Sequence, residues 1–475
     1  VRRAFWERGT HGARLLGALL VFAAFVAIDL TSIARHLPTK VSGDEWRYLF
    51  YAKNLLSGYF SPPERVFLWN GPGYPLFIAP FVKADFADGA RYANAFLHAG
   101  TLAYAWLILR TRLSALWTYS AVVLLGFHPQ ARDHLHLLYT ETLCAFLLTA
   151  WTFHTLRATT DVALVRASGW HRVHVVLAGI FLGLLCLTKV AFGPATAAFL
   201  VLLFLVGRRF RARRSASGGV RASPLLTAHL QAALIALALC VPYLVYTHSL
   251  TGRIFYWASA WPNPFYWLTS PFPEESGDWY HQGWVFNNPL LREHHGAIFL
   301  RTSGLDKNPN LPEIEQLLNL SSPESADIFL QQALANVREH PLKFLSNWSV
   351  NWLRLFFDVP VSVRGTPFWN DATQANLPLL LFTAFVVVRA RQTRTGLPRH
   401  FYPLTGLVLL NLASYSLASI VARYLVPLVP FWWIVACSVL SRSARRARRA
   451  ERPARAGKRR GPPRSALARA ASPEK

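Results

Sequence analysis

Apolar residues in this chain gather into ten runs. They lie near 15–34, 92–109, 114–127, 137–156, 174–190, 192–207, 225–247, 375–389, 402–420 and 424–440. A helix needs about 20 mostly apolar residues to cross a bilayer. The pattern therefore predicts an all-α, polytopic membrane protein of about ten transmembrane helices. Runs 114–127 and 174–190 are short for a span and are expected to extend into their flanks. The first run has no small-residue cleavage site behind it, so it is expected to be a retained span rather than a signal peptide.

Polar and aromatic residues dominate two long intervals, 35–91 and 249–374. The second contains YWASAWPNPFYWLTSPFPEESGDWYHQGWVFNNP. A disordered linker would be poor in aromatics, so 249–374 is expected to be an ordered cap. Within it, Asn347, Asn351, Arg354 and Asp358 recur at spacings of four, three and four. That places them on one face of a helix near 342–358. A full span there would put the next basic loop on the outer side, so this helix is expected to lie along the interface. The organisation that follows is a membrane module over 1–248, an extracytoplasmic loop over 249–374, further transmembrane helices over 375–441, and a disordered basic tail over 442–475.

The charge refines this picture. Only 16% of the residues are charged, whereas soluble proteins carry about 25%. The formal net charge of +26 suggests nucleic acid at first sight. Its distribution argues for topology instead. The excess sits at Arg2, Arg3, Arg8 and Arg14, in GRRFRARRSASGGVR, in RARQTRTGLPRH and in SRSARRARRAERPARAGKRRG, each beside an apolar run. Basic connections of this kind face the cytoplasm. Both termini are therefore expected inside, with 35–91, the segment around His128–His136 and 249–374 outside. The tail also suits anionic lipid head groups. Cys144, Cys186, Cys240 and Cys437 all fall inside apolar runs. They read as buried and structural, with neither metal spacing nor a disulfide framework.

The candidate chemistry begins at Asp44 and Glu45, just past the first span at the outer membrane edge. The helix dipole favours acidic residues at such a position for structural reasons alone. Adjacent residues on a helix point about 100° apart, so the two carboxylates are not expected to reach one atom. Glu141 opens a helix at the outer end of another run, and Asp133 competes with it. His134 and His136 are spaced for one face of a strand, not a helix. Lys189 sits at an outer run end, where an ammonium must be paired or snorkelled. Arg423 opens the last run, and its fork of donors suits a phosphate. Arg354 is a weaker phosphate candidate, because Asp358 on the same face could pair with it.

The residues Asp44, Glu45, Tyr48, Ala52, Leu55 and Gly58, followed by Gly71-Pro-Gly-Tyr-Pro75, form the pattern DExxYxxxAxxLxxG then GPGYP. This resembles the first outer loop of the GT-C superfamily of polyprenyl-phosphate-sugar glycosyltransferases. It is similar in particular to bacterial relatives of the protein O-mannosyltransferases and the lipid A aminoarabinose transferases. HPQARDHLHLLYTETLCAFLLTAW, GIFLGLLCLTKVAFGPATAAFL, ALANVREHPLKFLSNW and ARYLVPLVPFWWIVA also resemble segments of that family. The similarity spans 30–440 in outline and is weakest over 249–330.

The resemblance implies inverting transfer of a sugar from a polyprenyl-phosphate donor to a lipid, glycan or protein acceptor on the outer face of the cell (inner) membrane. It makes Asp44 the base, Glu45 an orienting group and Glu141 a second active-site acid. It makes Lys189, Arg423 and Arg354 ligands of the carrier phosphate. A divalent metal is compatible with it, although Asp44 and Glu45 alone are no ligand set. A polysaccharide ligase or polymerase of similar fold would differ mainly in acceptor. A lipid-sugar flippase or transporter would show inverted repeats and broken helices, and no such symmetry is present in the sequence.

Overall fold

The computed structural model describes residues 2–459 except 42, 63, 161–169, 216–223, 281, 363, 364, 366 and 420. Among the described residues every regular element is helical. Helix α1 (Arg2–Arg35) leads into the first loop, which holds α2 (Glu45–Leu56) and α3 (Gly73–Lys83). Next come α4 (Asp88–Leu109), α5 (Ala115–Gly126) and the short α6 (Pro129–Asp133), with a 3₁₀ turn at His134–His136. Then α7 (Thr140–Thr160), α8 (Trp170–Thr188), α9 (Phe192–Ser215) and α10 (Pro224–Thr251) complete the first membrane module.

All ten apolar runs form helix, and among the described residues six segments are both long and apolar enough to span. These are Gly12–Arg35, Trp170–Thr188, Phe192–Arg209, Leu225–Thr251, Asp371–Gln392 and Ala422–Arg448. The 12 residues of α5 reach only about 18 Å, against a hydrocarbon core of about 30 Å. Helices α4 and α7 are long, yet they carry buried polar residues such as Asn94, His98, Thr149 and Thr152. Hydrogen bonds inside the bundle hold them: Asn94 Nδ2 donates to the carbonyls of Leu135 and Leu137, His98 pairs with Asp29, and Thr149 and Thr152 donate to the carbonyls of Ala145 and Leu148. The expectation of ten spans thus meets six helices that satisfy both criteria.

Helix α8 sits between α7 and α10. Gly179 and Gly183, one turn apart, permit the close approach to α10. A Cβ at Gly179 would stand 2.6 Å from the Ile235 Cβ, and one at Gly183 would stand 2.8 Å from a methyl of Leu239. Small residues bring helices together in this way where apolar area alone gives no drive. All four cysteines are buried and free.

The interval after α10 folds into α11 (Pro262–Leu268), α12 (Gln282–Asn287), α13 (Pro289–Ser303), α14 (Glu313–Leu320), α15 (Pro323–Glu339) and α16 (Pro341–Phe357). It has its own core, including Phe265, Trp267, Tyr280, Leu291, Phe299 and Phe329. Local signals set its helix ends. Asn288 caps α13 by accepting from Leu290 N and Leu291 N, with Pro289 at the first position, and Gly304 closes it at φ 82°. The polar face of α16 fastens this cap to the bundle. Asn347 donates to the carbonyls of Leu268 and Ser270, and Asn351 donates to those of Ser416 and Ala418. Asp358 does not continue that face; it ends the helix in the left-handed region at φ 55°.

Helices α17 (Asp371–Gln392) and α18 (Phe401–Ser416) follow. The chain ends in a 3₁₀ segment, Ala422–Leu428, that runs into α19 (Val429–Arg459). The basic segment after 442 is therefore helical as far as Arg459, while 460–475 lies outside the described residues. The fold gathers basic connections at one end. Ser441 Oγ donates to the carbonyl of Arg112, Arg442 to that of Gly396 and Arg446 to that of Arg394.

Candidate active site

At the opposite end, the start of α7, the α8–α9 junction, the end of α18 and the start of the 3₁₀ segment surround a cavity of about 540 Å³. The first loop forms one wall and residues 255–264 another. Asp44, Glu141, Lys189 and Arg423 all line it. These four come from sites up to 379 positions apart in the chain and were read separately from the sequence.

Asp44 sits at the N-terminal boundary of α2, where the helix dipole favours a carboxylate. Gly43 places it there at φ +55°, and a Cβ on Gly43 would meet the Tyr139 hydroxyl at 2.5 Å. A side chain at position 43 would therefore be strained in backbone and in space. The Asp44 carboxylate bridges two guanidiniums. It accepts from Arg47 Nη1 at 2.8 Å and from Arg423 Nη2 at 2.5 Å. Burial pushes its pKa up, but Arg423 and Arg47 outweigh that and hold it at about 2. Glu141 forms the second pair, accepting from Lys189 Nζ at 3.0 Å. The same ammonium donates to Thr140 Oγ1 at 3.2 Å and lies 4.7 Å from the centre of the Tyr424 ring.

The cations are held but not saturated. Arg423 stacks over Tyr139 at 4.9 Å, and its Nε is buried without a hydrogen-bond partner. Both cations lie at the cavity wall, with side chains 27% exposed for Arg423 and 14% for Lys189. An anion entering the cavity can thus reach two positive groups without a large rearrangement. Trp69, Tyr139, Tyr256, Trp257, Trp261 and Tyr415 add flat apolar faces.

The turn at 70–73 fixes the floor. Gly71 approaches so closely that a Cβ would stand 2.1 Å from the Leu187 carbonyl, and one at Gly73 would stand 2.5 Å from Thr188 Oγ1. Only glycine permits this contact. It locks the first loop against the residues just before Lys189.

Two of the sequence candidates do not reach the cavity. Glu45 turns away, is fully buried, and accepts from Arg91 Nη2 at 2.6 Å and from Leu138 N at 2.8 Å. It ties α2 to α4 and to the segment before α7. The reason is the one-residue angular step along α2: Asp44 at its mouth faces the cavity, so Glu45 faces the bundle. Arg354 is buried in the cap and donates to the carbonyls of Ser276, Gly277 and Pro360. Its nearest acidic partner is Asp278 at 3.9 Å, not Asp358 as the spacing suggested. Asp133, His134 and His136 also fall outside the lining residues; His134 pairs with the Gln130 carbonyl at 2.7 Å.

Asp44 and Glu45 do not make a divalent-metal site. Their carboxylates face different sides of α2, and each is engaged by an arginine. Among the residues close to the chemistry that sequence reasoning missed, beside Tyr139 and Tyr424, is Arg47, which also stacks over Trp69 at 4.8 Å. Its spacing of three from Asp44 is the signal that could have found it.

No family model and no curated protein matches this chain. Solved structures do. ArnT from Cupriavidus metallidurans bound to undecaprenyl phosphate is similar over 92% of this chain and 79% of its own, at 14% identity and a TM-score of 0.39. The oligosaccharyltransferase AglB from Archaeoglobus fulgidus, in complex with an inhibitory peptide and a dolichol-phosphate, is similar over 91% of this chain and 52% of its own, at 13% identity and a TM-score of 0.45. The apo form of an Archaeoglobus fulgidus oligosaccharyltransferase gives 88%, 50%, 14% and 0.46 in the same order. This chain thus spans about half the length of those oligosaccharyltransferases. At TM-scores below 0.5 the likeness decides neither activity nor substrate, which rest on the site itself.

Proposed function

We propose that the chain is an integral-membrane glycosyltransferase that moves a sugar from a polyprenyl-phosphate donor to an acceptor on the outer face of the membrane. One observation carries this reading. Two carboxylate–cation pairs, Asp44–Arg423 and Glu141–Lys189, face a single aromatic-walled cavity at the end of an apolar helix bundle. That end is the one away from the gathered basic connections, which is the outer side if those connections face the cytoplasm.

The chemistry follows from the groups present. Arg423 and Lys189 hold the phosphate, and the aromatic faces hold the sugar. An acceptor hydroxyl oxygen attacks the anomeric carbon from the side opposite the phosphate. The bond from that carbon to the phosphate oxygen breaks, and its electron pair stays on the phosphate, where the two cations stabilise it. The hydroxyl proton passes to Asp44. Attack opposite the leaving group inverts the anomeric centre. Asp44 is a weak base while Arg423 and Arg47 both bind it. A phosphate that draws off Arg423 removes one of these two charges and strengthens the base when donor is bound. Glu141 keeps Lys189 in place and, with Tyr139, borders the space for the acceptor.

The deciding experiment uses purified protein in detergent or liposomes with polyprenyl-phosphate-linked sugars. Release of sugar to an added hydroxyl acceptor, with accumulation of free polyprenyl phosphate, is the expected result. In a deletion strain, the polyprenyl-linked sugar should accumulate and one envelope glycoform should vanish. If neither occurs while a labelled lipid-linked sugar crosses liposome membranes, the protein is a transporter and the proposal fails.

A further inference from the structure

The cap contains a second cluster of chemically capable side chains, none of which lines the cavity. Glu275 lies in the loop after α11, and His294 and His295 lie side by side on α13. One carboxylate oxygen, Glu275 Oε1, stands 2.8 Å from both His294 Nδ1 and His295 Nε2. Among the described residues this is the group of three whose ligand atoms converge as a metal site requires, all within 4.8 Å of one another.

We infer that Glu275, His294 and His295 form a zinc site that clamps the cap. Two imidazoles and a carboxylate are a ligand set zinc accepts, with bonds of about 2.0–2.2 Å and one position left for solvent. Donors around a tetrahedral ion at those lengths stand about 3.3 Å apart. The pairs at 2.8 Å need to open by about half an ångström to admit it. The residues behind the ligands are placed as a metal site needs. Tyr266 OH lies 2.6 Å from His295 Nδ1, the ring nitrogen facing away from Glu275. Zinc on His295 Nε2 would leave the ring proton on Nδ1, from which it would donate a hydrogen bond to the phenol oxygen. Ser270 Oγ donates to Glu275 Oε2 at 2.6 Å. The Phe272 ring stacks on His294 at 3.6 Å. Ligands held by such outer partners keep their orientation without the ion.

Burial fits a site that forms with the fold and is then loaded. Glu275 and His295 side chains are 1% exposed, while His294 is 12% exposed and opens the path for entry. The clamp also bears on the cavity. Tyr266 belongs to α11, and Trp261 and Pro264 at the other end of that short helix line the cavity wall. Pro264 receives Ser419 N at 2.8 Å across the cavity rim. Zinc at Glu275 would therefore fix the position of α11.

The test uses the full-length protein purified without a polyhistidine tag. After equilibration with zinc and removal of free metal, elemental analysis should give stoichiometric zinc. Cobalt(II) in its place should give the visible absorption of a tetrahedral nitrogen–oxygen site. His294→Ala is chosen because His294 is the exposed member and the variant should fold. It should weaken zinc binding by at least about tenfold and abolish the cobalt spectrum. Glu275→Gln should do the same while still accepting from Ser270. Zinc should raise the melting temperature of the wild type alone. Wild-type protein that retains no zinc overturns the inference. So does zinc binding in His294→Ala and Glu275→Gln that equals that of the wild type. Neither result bears on the cavity chemistry, which uses none of these residues.

Discussion

Replacing Asp44 by Asn separates the chemistry of this site from its stability. The side chain keeps its size but loses its charge and its basicity. In the structure that charge satisfies Arg47 at 2.8 Å and Arg423 at 2.5 Å. The two guanidiniums lower the carboxyl pKa from 3.8 to about 2, worth about 2 kcal/mol in favour of the charged form. Because the folded pKa is lowered, this stabilisation is complete above about pH 4 and is lost as pH falls through about 2. At neutral pH the Asn variant should therefore melt lower by an amount corresponding to about 2 kcal/mol, and should still insert and bind donor. Turnover should fall further, by about 100-fold or more, the scale of a lost general base. The assay follows sugar release from the lipid carrier at saturating donor and matched protein. The pH profiles add a second check. The acid limb of kcat/KM, which reports the free enzyme, should lie below that of kcat, because donor phosphate draws Arg423 away from the carboxylate. Wild-type turnover by Asp44→Asn would refute the assignment of the base. Coincident acid limbs would refute the exchange of Arg423 between carboxylate and phosphate.

Further outcomes follow from the same geometry. Arg423→Gln should raise the donor KM by about tenfold or more, and Arg423→Lys should recover only part of it, since the fork is lost; donor titration decides this. Glu45→Gln should act on stability rather than on chemistry, because it breaks a buried pair with Arg91. The expected cost is about 3–5 kcal/mol, and a melting curve unchanged alongside a large fall in kcat would contradict it. Gly71→Ala should lower both folding yield and donor binding, as the new methyl would press on the Leu187 carbonyl; a normal melting temperature would show that the turn can shift. For topology, a cysteine at Asn308 should react with an impermeant probe from outside the cell and one at Gln392 only after permeabilisation; the reverse pattern would invert the sidedness.

Periodicity alone pointed to a helical membrane protein, because the ten apolar runs have the length of helices rather than of barrel strands, and a helix satisfies its own backbone polar groups in lipid. Charges at the ends of apolar runs, weighed with the family resemblance, also singled out Asp44, Glu141, Lys189 and Arg423, and the cavity brings these four together. Each stood out as a charge at the end of an apolar run, where its cost demands a reason. The fate of Glu45 and Arg354 was decided by tertiary structure. Glu45 differs from Asp44 by one residue and about 100° of helix rotation, and only the position of Arg91 on another helix determines which of the two is sealed in the bundle. Arg354 reads as a surface phosphate ligand, yet it spends its donors on the carbonyls of 276, 277 and 360. The Glu275–His294–His295 cluster was invisible for a related reason. Its members are separated by a loop and a helix, and no local period relates them. Ten apolar runs are read as spans, and six helices among the described residues meet both the length and the apolarity of a span. Helices such as α7 carry rows of threonines that neighbouring helices shelter. A local pattern encodes where a residue's cost must be offset, but which partner offsets it depends on chain segments hundreds of residues away.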